Sequence, residues 1–135
     1  MADIRQVTPD FAVAPQLEPQ DMAEAARRGF RLVINNRPDG ETPDQPSAAE
    51  MERAARAAGM DYLDVPFVGR PGPEQVSAVR EAVDAASGPV LAFCRSGTRS
   101  ITAWTLGQAQ AGRAREELLG LASRAGYDLS AALPG

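Results

Sequence analysis

Val90-Leu91-Ala92-Phe93-Cys94-Arg95-Ser96-Gly97-Thr98-Arg99-Ser100 divides into a strand, a turn and the start of a helix. The apolar run 90–93 has the length of a strand and follows Gly88-Pro89, a turn signal, while Ile101 and Trp104 begin a helical spacing behind Ser100. Between them stand the only cysteine of the chain, a glycine three residues on and an arginine two after that. A thiol attacks as its thiolate, a form favoured by helix N-termini and neighbouring cations. Backbone N–H groups of a tight turn entering a helix converge on an anion, and Gly97 supplies a residue free of the steric penalty at positive φ. Arg99 is suited to clamp the same anion through two parallel hydrogen bonds, and Ser100 to donate a hydrogen bond to the sulfur. A lone cysteine at a strand end is more often a small buried hydrophobe. Its framing by Gly97, Arg99 and Ser100 makes Cys94 the candidate nucleophile, with Arg95, Ser96, Gly97 and Thr98 as the loop around the anion.

The same strand-to-helix order recurs on the N-terminal side. Residues 4–8 and 11–14 read as two short strands around Pro9-Asp10, an opening hairpin. Pro19 suits the first turn of a helix reaching about Arg28, closed by Gly29. Residues 31–35 form a β-branched strand, followed by the polar turn Asn36-Arg37-Pro38-Asp39-Gly40-Glu41. Ser47-Ala48-Ala49-Glu50 is a capping box ahead of an apolar stripe of Met51, Ala54, Ala55 and Ala58. A strand at 61–65 stops at Pro66, and Pro73 opens a helix with Val76, Val79 and Val83 on one face. Beyond Gly112, residues 115–124 form a further helix with a tail. Alternation of this kind predicts an α/β fold, a mainly parallel central sheet flanked by helices, and the 135 residues suit one domain, with 113–135 its C-terminal helix and tail.

Composition narrows the chemistry. The chain has no histidine, and all fourteen of its basic residues are arginine. Ser-His-Asp and Cys-His catalysis, His-ligated metals and Schiff-base chemistry are thereby excluded, and no metal or cofactor is expected. A net charge of −4 without charge blocks points to neither nucleic acid nor a membrane surface as partner. With no leader-like N-terminus and a single cysteine, a cytoplasmic location is the expectation. Oligomeric state is left open.

In open α/β sheets the ligand crevice lies beyond the C-terminal ends of the strands. The Cys94 loop therefore shares an edge with the loops at 35–41 and 67–72. Asn36, Arg37, Asp39 and Glu41 are the neighbours expected to meet an anion over Cys94, and Arg70 is a further residue of that edge, more readily read as exposed.

Gly29-Phe30-Arg31-Leu32-Val33-Ile34-Asn35-Asn36-Arg37-Pro38-Asp39-Gly40-Glu41, Asp44-Gln45-Pro46-Ser47 and Cys94-Arg95-Ser96-Gly97-Thr98-Arg99-Ser100 resemble the bacterial phosphatase-like domain that occurs alone or fused to β-lactamase-fold hydrolases of sulfur metabolism. The resemblance spans residues 4–112. It implies a fold like that of dual-specificity protein tyrosine phosphatases and a phosphate-containing anionic substrate. It also implies a cysteinyl-phosphate mechanism, in which Cys94 attacks phosphorus, Arg99 and loop amides hold the oxygens, and a carboxylic acid protonates the leaving group. Three features depart from the phosphatase pattern. Four residues rather than five separate Cys94 from Arg99, Phe93 stands where such enzymes have histidine, and Phe67-Val68-Gly69-Arg70 holds no carboxylate, so that Asp39 is the expected acid and substrate-binding is expected of Asn36 and Arg37, with Glu41 behind Asp39. The shorter loop resembles rhodaneses, whose Cys-Arg-Ser-Gly-x-Arg loop carries a persulfide. A sulfurtransferase or persulfide carrier with a sulfur-containing anionic substrate, and a non-catalytic anion-binding module, therefore stand beside the phosphatase reading.

Overall fold

The computed structural model describes residues 2–134. Five strands form one sheet in the order β1-β2-β5-β3-β4. β1 (Arg5–Thr8) and β2 (Phe11–Ala14) make the expected antiparallel hairpin. β2 then pairs in parallel with β5 (Val90–Phe93), β5 with β3 (Leu32–Asn35), and β3 with β4 (Asp61–Asp64). Every residue of β2, β3 and β5 is buried, as helices on both faces of a parallel sheet require.

Successive side chains of a strand point to opposite faces, so each apolar run feeds two cores. Phe11, Val13, Ile34, Val90 and Ala92 join one, and Ala12, Ala14, Val33, Leu91 and Phe93 the other. The second core is closed by α1 (Asp21–Arg27) and α2 (Ala48–Ala57) through Met22, Ala25, Met51 and Ala55. The capping box at Ser47 is formed, its Oγ accepting from Glu50 N at 3.1 Å while Glu50 Oε1 accepts from Ser47 N at 3.1 Å. The first core is closed by α3 (Pro73–Ala85), α4 (Thr98–Gln110) and α5 (Arg115–Arg124).

α4 is the central helix, buried from Ser100 to Gly107. Trp104 stacks on Phe11 with ring centroids 4.9 Å apart and planes 6° from parallel, tying α4 to the strand beside β5. The loop between β5 and α4 is thus anchored at both ends by buried structure. No helix among the described residues is long and apolar enough to cross a membrane.

Candidate active site

The C-terminal ends of β5, β3 and β4 lie side by side, and backbone bonds knit the loops leaving them. Asn36 N donates to Phe93 O at 2.8 Å, Val65 N to Asn35 O at 2.9 Å and Phe67 N to Asn36 O at 3.3 Å. Cys94 N reaches Ala14 O at 3.4 Å, and Gln16 N reaches Arg95 O at 3.2 Å, so the end of β2 braces the other flank.

Inside this frame Cys94 is 1 % exposed, at the floor of its loop. Its Sγ accepts a hydrogen bond from Gly97 N at 3.1 Å. Gly97 adopts φ +93° and caps α4, whose Ile101 N donates to Gly97 O at 3.0 Å. Only glycine takes that backbone conformation without strain. Above the loop Ser96 Oγ and Thr98 Oγ1 lie 3.0 Å apart, and Arg95 is exposed. Ser100 Oγ is fully buried and has no hydrogen-bond partner among the described residues.

Arg99 is held from outside the loop. Glu41 Oε2 accepts from its Nη1 at 2.9 Å and Oε1 from its Nη2 at 2.8 Å, while Phe67 O accepts from Nη1 at 3.0 Å. A guanidinium has five N–H groups. Three are therefore engaged, and the two left over, Nε–H and the second Nη2–H, lie parallel along one side of the plane. That side is a fork for two oxygens of one anion. The Glu41 hydrogen bonds, against the opposing effect of burial, raise the pKa of Arg99, and the neighbouring Cys94 adds to the rise.

Glu41 is itself gripped twice. Hydrogen bonds from Arg99, with a smaller part from Arg37, outweigh burial and hold its pKa at about 2. Arg37 is 4 % exposed and donates from Nε to Glu41 Oε1 at 2.8 Å, from Nη1 to Gln16 Oε1 at 2.9 Å and from Nη2 to Thr42 Oγ1 at 3.4 Å. Its backbone N donates to Asn35 Oδ1 at 2.9 Å.

Arg37, expected on substrate, bears on Glu41, Gln16 and Thr42 and so supports Arg99 from behind. Asn36, also expected on substrate, is wholly buried, and its Nδ2 donates to Val65 O at 2.9 Å, so it clamps strand ends. Asp39, expected as acid, places Oδ1 on the N–H of Ala48, the first residue of α2, at 2.7 Å. A carboxylate there satisfies a free donor and complements the positive end of the helix, which draws it into α2. Glu41, expected behind Asp39, is held ionised by two arginines. Arg70 is exposed and donates from Nη1 to Ala132 O at 2.9 Å in the C-terminal tail.

Two contacts had no signal in the sequence. The bond between Glu41 and Arg99 joins residues 58 positions apart. Tyr127 Oη donates to Ser96 O at 2.8 Å across 31 positions. Nothing local marks either pair, although Arg37 and Glu41 have the spacing at which two side chains on one turn can meet.

Residues 3–111 match the family model of the phosphatase-like domain of beta-lactamase hydrolase-like proteins. A beta-lactamase hydrolase-like protein of Agrobacterium fabrum is 39 % identical over 124 residues, which are 90 % of this chain and 29 % of that protein. The chain thus spans less than a third of the length of that relative. Among solved structures, the putative phosphatase nma1982 of Neisseria meningitidis Z2491 superposes with a TM-score of 0.87 at 29 % identity, over 97 % of this chain and 94 % of its own. Tk-PTP in its active form, at 22 % identity and a TM-score of 0.70, covers 95 % of this chain and 88 % of its own, and shares the fold. Since the family match runs through both the turn that carries Glu41 and the loop that carries Cys94, the chain belongs to the phosphatase-like domain family of the beta-lactamase hydrolase-like proteins.

Proposed function

We propose that this domain is a cysteine-dependent phosphatase acting on phosphomonoesters. The observation that carries the reading is the free fork of Arg99, left open by Glu41 and Phe67 beside a loop whose Gly97 amide already points at Cys94 Sγ. A phosphoryl group seated there has two oxygens on the guanidinium and the others on loop amides, with phosphorus over the sulfur. The transition state of phosphoryl transfer is stabilised mainly by such positioning and charge. The Cys94 thiolate attacks phosphorus, an S–P bond forms, and the P–O ester bond breaks with its electron pair leaving on the alcohol oxygen. Water then attacks phosphorus, the S–P bond breaks, and thiolate and inorganic phosphate are regenerated. The unpartnered hydroxyl of Ser100 supports a role as donor to the sulfur when it leaves phosphorus.

Both carboxylates expected as acid already accept hydrogen bonds. Glu41 is ionised, and Asp39 is bonded to Ala48 N. The reading therefore favours esters whose alcohol departs without help, aryl over alkyl. The same observation, with the four-residue spacing from Cys94 to Arg99, favours a second reading as sulfurtransferase, since sulfur transfer through a persulfide on Cys94 needs no acid.

Parallel assays of wild type and Cys94→Ser on p-nitrophenyl phosphate and on thiosulfate with cyanide separate the readings. Turnover of the aryl phosphate that disappears in Cys94→Ser is the expected result. Thiosulfate turnover alone transfers the assignment to sulfur chemistry. Equal rates for the two proteins on both substrates leave only a non-catalytic anion-binding module.

A further inference from the structure

Tyr127 lies beyond the residues matched by the family model, yet it touches the nucleophile loop. Its place is set by the end of α5. Gly126 turns there with φ +98°, its N–H donates to Ser123 O at 3.0 Å, and Tyr127 N–H donates to Ala122 O at 2.9 Å. That pair of bonds is a Schellman closure, which fixes the direction in which the next side chain leaves the helix. Tyr127 is 8 % exposed, with the Arg5 guanidinium 5.1 Å from its ring centroid, and its hydroxyl donates to Ser96 O at 2.8 Å. Burial raises the phenol pKa, so the hydroxyl keeps the proton that it donates.

The carbonyl of Ser96 and the N–H of Gly97 belong to one peptide unit. A trans peptide is planar and its C=O and N–H point in opposite directions, so fixing one fixes the other. Glycine populates positive and negative φ about equally, and the backbone at 97 therefore does not choose between the two faces of this unit. Turned over, the unit would present a carbonyl oxygen to Cys94 Sγ where it now presents an N–H at 3.1 Å. Gly97 and Tyr127 are also matched in shape. A Cβ at 97 would run into the Tyr127 hydroxyl and lie 3.0 Å from Cζ, so only glycine admits the tyrosine.

We propose that Tyr127 is a positioning residue that holds the Ser96–Gly97 peptide with its N–H facing Cys94 Sγ and the bound anion. The proposal rests on the loop being the anion site described above. It makes the segment after α5 part of the machinery of that site.

The test compares wild type, Tyr127→Phe and Leu129→Ala in the full chain. Leu129 is a buried neighbour in the same segment, 3 % exposed, and its truncation loosens packing without touching the hydrogen bond. Two quantities are read: amide hydrogen exchange of Gly97 relative to amides of β3 and β5, and the affinity for inorganic phosphate by titration. Tyr127→Phe is expected to speed Gly97 exchange selectively and to weaken phosphate binding by about 2- to 10-fold, the worth of one hydrogen bond. Leu129→Ala is expected to speed exchange broadly, without selective change at Gly97. Unchanged Gly97 exchange in Tyr127→Phe, or the same selective change in both variants, overturns the proposal. So does selective exchange with unaltered phosphate affinity. Neither readout requires turnover, so an inactive wild type would remove the phosphatase reading and leave this result standing or falling by itself.

Discussion

Glu41 and Arg99 face each other end to end, two oxygens on two nitrogens at 2.9 and 2.8 Å, although Glu41 lies in the turn after β3 and Arg99 in the first turn of α4 behind β5. The carboxylate also accepts one hydrogen bond from Arg37 Nε, so one acid bridges two guanidiniums. Its position leaves the side fork of Arg99 open and denies the end fork to other anions. Under the proposed function Glu41 acts on substrate through Arg99.

A pH dependence of stability follows from this pair. In the unfolded chain Glu41 titrates at its ordinary value near 4.5, and in the fold at about 2. A depressed carboxyl pKa contributes stability that is fully present above the unfolded value and is lost as pH falls from about 4.5 through about 2. Discounted for a side chain 24 % exposed to solvent, the contribution is about 1 kcal/mol near neutrality. Urea unfolding at a series of pH values should show Glu41→Gln less stable by about that amount at neutrality, with the two curves converging on acidification. Parallel curves from neutrality to pH 2 would contradict the assignment.

Arg99→Lys should fail as a conservative change. An ammonium is a point donor and cannot meet both oxygens of Glu41, the carbonyl of Phe67 and an anion from one plane. Protection of Cys94 from iodoacetamide by inorganic phosphate should need at least about tenfold more phosphate in this variant, a loss of about 1.4 kcal/mol. Protection at wild-type concentrations would mean that the guanidinium fork is not the anion clamp.

Asp39 offers a test between helix cap and acid. Asp39→Asn keeps an oxygen for Ala48 N but removes the charge beside the start of α2, so a small stability loss of about 0.5 kcal/mol is expected. Turnover of aryl and alkyl phosphates relative to each other should not change. A fall confined to alkyl esters, whose leaving groups need a proton, would return the acid role to Asp39.

The elements were legible in the sequence because each carries its own local signal. The apolar run at Val90–Phe93, the capping box at Ser47 and Pro73 at the head of α3 all fall where the structure has them. The Cys94 loop was legible for the same reason, its glycine and arginine lying within a few residues of the thiol. What the local pattern does not carry is the company that the loop keeps. Glu41 reaches Arg99, and Tyr127 reaches Ser96, only after β5 has been inserted between β2 and β3, a sheet order that no short stretch encodes. Asn36 misleads for a related reason. A polar residue in a turn after a strand reads as exposed, and only the parallel pairing on both sides of β3 buries it.

Asn36 supplies a final prediction, since its burial makes it costly to change. Its backbone N–H bonds Phe93 O and its Nδ2 bonds Val65 O, tying the ends of β5 and β4 to the residue that leaves β3. Asn36→Ala strips the donor from a buried carbonyl and should cost about 1–3 kcal/mol in urea unfolding. Asn36→Asp should cost more, because it removes the same donor and adds a charge in a site with no solvent access. The damage should also reach the anion clamp. Phe67, whose carbonyl holds Arg99 Nη1, is itself tied to Asn36 O, so a shift at Asn36 moves one of the three acceptor oxygens that orient the guanidinium. Phosphate affinity should therefore fall in Asn36→Ala under conditions where the variant is fully folded. Wild-type stability in that variant would remove the strand-end clamp, and wild-type affinity with lowered stability would confine Asn36 to the fold.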